Sequence, residues 1–381
     1  MTIQFSVVGL AVAALLTAAV VSLISTPVVR SLAFRVGAVD VPKDNRRMHN
    51  HPIPRMGGLA IFFGFILSVL LFVPLTQQLR TMLLGAVVIV ILGIFDDIYA
   101  LPAMPKFMIQ IAAALVAVLG GNRIFGLSNI NIFSSDPYWE LGWLSIPISV
   151  LWIVGITNAV NLIDGLDGLA CGVSTISSMT LLVIALIMAE PDVAMITAAL
   201  AGACLGFLPY NLNPARIFMG DTGSTFLGYI LAVVSIQGLF KFYTFISFAA
   251  PFLMLGLPIF DTCFAILRRL AKGQSPMAPD RGHIHHRLID MGFSQKQAVA
   301  MLYVISAILG LSAVVLTTIG AVRAMLFLLA LCVAGALAGK LYLDHNNGGG
   351  GQNSSRPASP PSRTQIAGND NFFGEEDRSE K

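Results

Sequence analysis

Long apolar runs recur along almost the whole chain, and that recurrence leaves few folds open to it. A run of roughly 17–25 mostly apolar residues is long enough to cross a bilayer as an α-helix. Such runs centre on residues 5–26, 57–74, 80–98, 105–121, 142–159, 169–189, 193–210, 222–239, 246–268, 299–319 and 321–343. They amount to about ten or eleven spans, since several are tight or contain Gly and Pro. Only 11% of the residues are charged and 56% are hydrophobic, where an average globular chain carries about 25% charged residues. The reading is an all-α polytopic membrane protein.

The loops set the expected orientation. Arg30, Arg35, Lys43, Arg46, Arg47 and Arg55 follow the first run, and Arg268, Arg269, Lys272, Arg281, Arg287 and Lys296 follow the ninth. Loops after even-numbered runs carry isolated cations: Arg80, Arg123, Lys241 and Arg323. The excess of Lys and Arg on cytoplasmic loops then places the N-terminus outside and the C-terminus inside. The first run lacks a basic leader and a cleavage site and reads as a retained span. Residues 1–344 are expected to form one membrane domain. Residues 345–381, rich in Gly, Ser, Pro and Asn, read as a disordered cytoplasmic tail. Cys171, Cys204, Cys263 and Cys332 all fall in apolar runs without metal-ligand spacing and read as small core residues. No internal repeat stands out.

Polar residues cluster where these loops lie. The densest cluster is Asn158-x-x-Asn161-x-x-Asp164-Gly-x-Asp167-Gly, between two apolar runs. Spacings of three drift by about 60° per step on a helix, so Asn158 and Asp167 do not share a face, whereas Asn161 and Asp164 can. Gly165 and Gly168 are expected to open the backbone. A polar turn would account for one such residue; four oxygen-bearing side chains suit a divalent cation such as Mg2+, or a diphosphate held by one. Asp96 and Asp97 end the third run, at the unfavourable end of a helix dipole, and call for compensation by Lys106 or a metal. Asp221 opens the eighth run amid glycines, either as a plain N-cap or as a cation holder in a diphosphate cradle. Arg281, His283, His285, His286 and Arg287 make a cationic segment without a zinc pattern, better suited to phosphate oxygens, although a positive-inside loop explains the arginines. Pro52 to Gly58 reads as a rigid turn into the second run, its glycines allowing close packing, and His49 and His51 stand too isolated to assign.

All these clusters fall on the side expected to be cytoplasmic. A transporter gathers its costly polar groups near mid-membrane; the runs here offer few, apart from Lys241 and Glu190 near outer ends. One polar face suits an enzyme with one soluble and one lipid substrate. A nucleotide-sugar or lipid-phosphate transporter is the rival reading.

Taken in order, Asp96-Asp97 with Lys106, the Asn158 to Gly168 motif, Gly220-Asp-x-Gly-Ser224 and His283-x-His-His-Arg287 resemble the polyprenyl-phosphate N-acetylhexosamine-1-phosphate transferases over roughly residues 5–340. The histidine segment is similar to that of bacterial enzymes loading GlcNAc-1-phosphate onto undecaprenyl phosphate to start teichoic acid, O-antigen or related glycans. The branch that transfers phospho-MurNAc-pentapeptide tends to carry a basic residue where this chain has Asn50. The resemblance implies a phosphotransferase of the bacterial cell membrane, with UDP-GlcNAc and undecaprenyl phosphate giving undecaprenyl-diphospho-GlcNAc and UMP. Another UDP-N-acetylhexosamine or phospho-MurNAc-pentapeptide donor is the alternative.

By the same resemblance, Asn161 and Asp221 match Mg2+ ligands, with Mn2+ as the alternative metal. Asp96 matches the base proposed for the lipid phosphate, with Asp97 its essential neighbour. Asp164 is a third catalytic candidate and falls, with Asp167, where the nucleotide-sugar is contacted. Lys106, Asn158, Arg281 and the segment from His283 to Arg287 complete the substrate-binding set. A phosphate monoester is already largely dianionic at pH 7, its second pKa being near 6, so Asp96 can instead position it through Lys106 or the metal; a phospho-aspartate route stays open. Partners implied are the bilayer, the two substrates and, as a candidate, a second copy of the chain in a homodimer, but no nucleic acid.

Overall fold

The computed structural model describes residues 2–41, 52–128, 138–238, 245–275 and 282–319, with two helical residues at 326–327. They fall in the first of two units, Met1–Leu331; the second, Cys332–Lys381, has no described residue. The expected tail, most of the eleventh run, Arg281, Asn50, His49 and His51 thus lie outside the described residues.

The chain is all-α in character. Helices α1 (Thr2–Arg35), α2 (Gly58–Phe72), α3 (Gln77–Tyr99), α4 (Ala103–Leu119), α5 (Ser145–Ile163), α6 (Leu169–Ile187), α7 (Pro191–Asn211) and α8 (Gly220–Gly238) match the first eight apolar runs. Then come α9 (Phe245–Met254), α10 (Gly256–Ala271), α11 (Ile284–Asp290) and α12 (Gln295–Ile319). Among the described residues, six helical segments, in α1, α3, α5 with its preceding 3-10 turn, α6, α7 and α12, are long and apolar enough to cross a membrane; α2 and α4 are apolar but shorter. Two short antiparallel ladders complete the described structure. β1 (Val39–Asp40) pairs with β2 (Ile53–Pro54), and β3 (Gly126–Ser128) with β4 (Tyr138–Glu140).

Two expectations change. The run 246–268 is not one span but two helices, α9 and α10, broken at Leu255. Pro258 has no N–H to give the carbonyl four residues back. That carbonyl, on Met254, is taken instead by the Ser177 hydroxyl of α6 at 2.9 Å. Among the cysteines, Cys171 and Cys204 are buried as expected, but Cys263 is exposed, because it lies on the outward side of α10.

The bundle is organised around α8. Every residue of α8 except Asp221 is buried, and α3, α5, α2 and α6 pack against it. A helix enclosed by protein can carry Gly, Ser and Thr, since it faces other helices and not lipid. Its N-terminal turn meets two other backbones. A Cβ added at Gly58 would lie 2.0 Å from the Gly223 Cα, and one at Gly93 2.3 Å from the Thr222 Cα. The Gly57 and Gly58 amides donate to the Phe218 and Met219 carbonyls at 2.9 Å, and the Phe218 amide donates to the Pro54 carbonyl at 2.9 Å. The segment expected to be a turn is therefore a short extended clamp that leads into α2.

No side chain at residue 58 can be accommodated without moving α2 away from α8. Gly58→Ala should lower the thermal-inactivation midpoint of the detergent-solubilised protein, at a cost of about 1–3 kcal/mol. An unchanged midpoint would mean that the two helices approach less closely than described.

Candidate active site

Asp96 and Asp97 lie in the last turn of α3, and each is compensated from a different direction. Asp96 turns to α4: its Oδ2 accepts from Lys106 Nζ at 2.7 Å and its Oδ1 from the Leu101 amide at 2.7 Å. Lys106 also donates to Asp221 Oδ2 at 3.3 Å, so one ammonium joins two carboxylates. Asp97 turns to α8. Its Oδ1 accepts the Asp221 amide at 3.0 Å, and its Oδ2 accepts the Thr222 amide at 3.1 Å and the Thr222 hydroxyl at 2.6 Å. These amides are among the donors that a helix start leaves without partners. Gly220, at φ +70°, makes room: a Cβ there would lie 2.4 Å from Asp97 Oδ2. Arg55 Nε stands 3.5 Å from Asp97 Oδ1, and its Nη2 3.9 Å from Asp221 Oδ1.

The Asn158 to Gly168 motif divides between helix and loop as its spacing predicts. Asn158 and Asn161 are on α5, Asp164 caps its C-terminus, and Gly168 at φ +78° starts α6. Asn161 Oδ1 accepts from the Ser224 hydroxyl at 2.5 Å, one turn along α8 from Asp221. Asn158 points elsewhere and donates to Gln110 Oε1 at 2.7 Å and to the Val154 carbonyl at 2.8 Å. Asp167 Oδ2 accepts from Asn213 Nδ2 at 2.9 Å and from the Ala215 amide at 3.0 Å. Tyr303 of α12 holds the end of the loop by donating to the Gly168 carbonyl at 2.6 Å.

These elements surround a cavity of about 430 Å³. Of the residues singled out from sequence, Asn161, Asp164, Asp167, Asp221 and His286 line it, joined by Asp40, Arg55, Asp290 and Gln295. Asp96, Asp97, Lys106, Asn158, His283 and His285 are not among its lining residues, and Arg287 is exposed. In α11 the spacing sorts the side chains: His286, Ile289 and Asp290 face the cavity, and His285 and Leu288 are buried. The His285 ring packs on Gly165, where a Cβ would come within 2.2 Å of Nε2. That nitrogen has no hydrogen-bond partner.

Two titrating groups flank this lining. Burial, and after it the Asp221 carboxylate, raises Asp164 to about 7, so Asp164 can hold a proton near neutral pH. Burial, and after it His286, lowers His285 to about 4. His285 is therefore a neutral packing residue rather than a cation for phosphate.

Sequence reading missed three contributors. Asp261 is buried in α10 and accepts from His283 and from the Ile284 amide. It was the one acid inside the ninth run, a signal in itself, and it corrects the expectation of few ionisable residues within the runs. Arg55 was counted only toward loop charge. Gln110, in an apolar helix, offered only a lone polar residue as a signal.

The donor set fits a hard divalent cation. Asp221 and Asn161 both line one cavity, and the Ser224 hydroxyl, one turn along α8 from Asp221, donates to Asn161 Oδ1. Mg2+ is commonly held by one or two carboxylates together with substrate phosphates rather than by an all-protein cage. Among the described residues, no group of three or more His, Cys, Asp or Glu forms such a cage.

Fold and site together describe an all-α bundle, with several helices long and apolar enough to cross a membrane, that encloses a polar, carboxylate-rich cavity. Residues 79–239 match glycosyl transferase family 4. The chain is 47% identical over 299 residues to a probable undecaprenyl-phosphate N-acetylglucosaminyl 1-phosphate transferase of Bacillus subtilis, covering 77% of this chain and 81% of that protein. It is 36% identical over 327 residues to a decaprenyl-phosphate N-acetylglucosaminephosphotransferase of Mycolicibacterium smegmatis (76% and 77% covered). Against a phospho-N-acetylmuramoyl-pentapeptide-transferase of Moorella thermoacetica it is 31% identical over 322 residues (80% and 98%). The chain belongs to glycosyl transferase family 4, the polyprenyl-phosphate N-acetylhexosamine-1-phosphate transferases that its motif order resembles.

The buried His285 carries a pH consequence. An unfolded histidine takes a proton below about 6.5, whereas the folded one does so only near 4. Between these values the unfolded chain binds more protons, so stability falls as pH drops through that window, by about 2 kcal/mol at pH 5. His285→Leu should flatten this decline in thermal scans between pH 7 and pH 5. An equal decline in both proteins would assign the acid lability to other groups.

Proposed function

We propose that the protein transfers GlcNAc-1-phosphate from UDP-GlcNAc to undecaprenyl phosphate, yielding undecaprenyl-diphospho-GlcNAc and UMP, at the cytoplasmic face of a bacterial cell membrane. The N-terminus would lie outside and the C-terminus inside, with about ten or eleven spans in all. The supporting relatives are named for N-acetylglucosaminyl 1-phosphate transfer. The observation that carries the mechanism is the charge of the cavity. Asp40, Asp164, Asp167, Asp221 and Asp290 line it against Arg55 and His286. A pocket so rich in carboxylates repels a diphosphate unless a cation comes with it.

Asn161 and Asp221 would hold that cation, Mg2+ with Mn2+ as the alternative, and when bound it supplies charge neutralisation on the diphosphate and on departing UMP. The other roles belong to the chain. An ammonium has three N–H donors; Lys106 gives two to Asp96 and Asp221, and the third is free for the lipid phosphate. Asp96 accepts from Lys106 through Oδ2 and from the Leu101 amide through Oδ1, and so anchors the Lys106 ammonium beside Asp221. The lipid phosphate, mostly dianionic at pH 7, needs no base. It attacks the β-phosphorus of the nucleotide-sugar, and the bond from that phosphorus to the UMP oxygen breaks. Asp164 and Asp167 line the cavity beside Asp221, placed to contact the nucleotide-sugar. His286 and Arg55 add donors to the developing charge.

Purified protein in detergent with undecaprenyl phosphate and Mg2+ should release UMP with UDP-GlcNAc. Release only with another UDP-sugar would keep the chemistry and change the donor; no release with any would overturn the reading in favour of transport. Asp221→Ala should abolish release by at least 10²-fold while the protein stays folded. Retained Mg2+-dependent release would remove Asp221 from the metal role.

A further inference from the structure

Asp261 lies in the middle of an otherwise apolar stretch of α10, is 3% exposed, and spends both carboxylate oxygens on one short segment. Its Oδ2 is 2.8 Å from His283 Nδ1, and its Oδ1 accepts the Ile284 amide at 2.8 Å. An ionised carboxylate only accepts, so the proton between the first pair sits on Nδ1 of His283. Two turns further along α10, Arg268 packs against Gly282, where a Cβ would come within 2.2 Å of its guanidinium. The start of α11 is therefore gripped by two side chains of one helix.

A helix of seven residues has little stability of its own. Its rotation about its axis must come from outside, and a rotation of one residue, about 100°, would exchange the cavity-facing and buried sides. We propose that Asp261 is a positioning residue for the transfer reaction: by fixing the His283 ring and the Ile284 amide together, it sets the rotation of α11. His286 and Asp290 are thereby presented to the cavity, and His285 is seated on Gly165. Asp261 itself touches no substrate. His283 and His285 serve, on this reading, as the socket of the segment and not as phosphate ligands.

The test reads the segment directly and then through activity, the second arm alone resting on the proposed transferase function. Histidines in the purified, detergent-solubilised full chain are modified with diethyl pyrocarbonate and quantified peptide by peptide. In the wild type His286 should react while His283 and His285 are protected. Asp261→Leu, which removes both acceptors, should raise labelling of His283 and His285 by about tenfold, the scale of a lost charge-assisted hydrogen bond. Asp261→Asn keeps the shape and one acceptor and should lie between, which guards against general unfolding of the leucine variant. In UMP release, both variants should raise the KM for the UDP-sugar more than they lower kcat. Unchanged labelling in both variants would overturn the proposal. So would labelling that spreads in Asp261→Asn with KM untouched while the wild type is active. A wild type that shows the labelling pattern but releases no UMP would instead overturn the transferase reading and leave the positioning by Asp261 standing.

Discussion

The structure depends on how one buried carboxylate is neutralised. Asp97 sits at the C-terminal end of α3, where the helix field opposes a negative charge, and its side chain is fully enclosed. A charge in that position is tolerated only when its hydrogen-bonding capacity is met. The N-terminus of α8 meets it, with two amides and the Thr222 hydroxyl. The positive end of one helix thus stabilises an acid at the negative end of another. This contact fixes Asp221, whose own amide is one of the two donors, and with it the reach of Lys106 and the relation of Ser224 to Asn161. Gly58, Gly93 and Gly220 belong to the same arrangement, because helix ends can meet this closely only where side chains are missing.

Opposite this wall stands one of a different kind. The loop from Asp164 to Gly168 is tied down by Asn213, Ala215 and Tyr303, and α11 rests on it through His285 and Gly165. Here the joints are polar contacts between side chains and loops rather than backbone against backbone. The cavity lies between the two walls. The proposed phosphate chemistry gathers at the first, and the less constrained side chains at the second.

Much of this was legible beforehand. Nine apolar runs, the first eight and that at 299–319, form single helices, because residues of that kind at that length leave little other choice, and the motif order points to the family. The helix break at Leu255 also had a local signal, in Gly256 and Pro258, but one hidden inside an otherwise continuous apolar stretch. What escaped is what depends on partners distant in sequence. Asp97 and Asp96 looked alike as neighbours, yet one faces α8 and the other α4, because consecutive residues on a helix diverge by about 100°. Asp261 stands alone in an apolar run, and a solitary acid gains its meaning only from the segment that folds over it. The histidines were read as a unit, although helical spacing within α11 separates His286 from His285.

The unequal joints bear on how such a chain can diverge. At the glycine contact a substitution at residue 58, 93 or 220 must be answered by its neighbours at once, so drift there is nearly closed. The segment from Gly282 to Asp290 is instead plugged into α10 through a few side-chain contacts, and its cavity-facing positions can change while the plug is kept. A lineage that retains Asp261 can therefore exchange those positions piecemeal and explore new small-molecule partners without reopening the buried charge beneath α8.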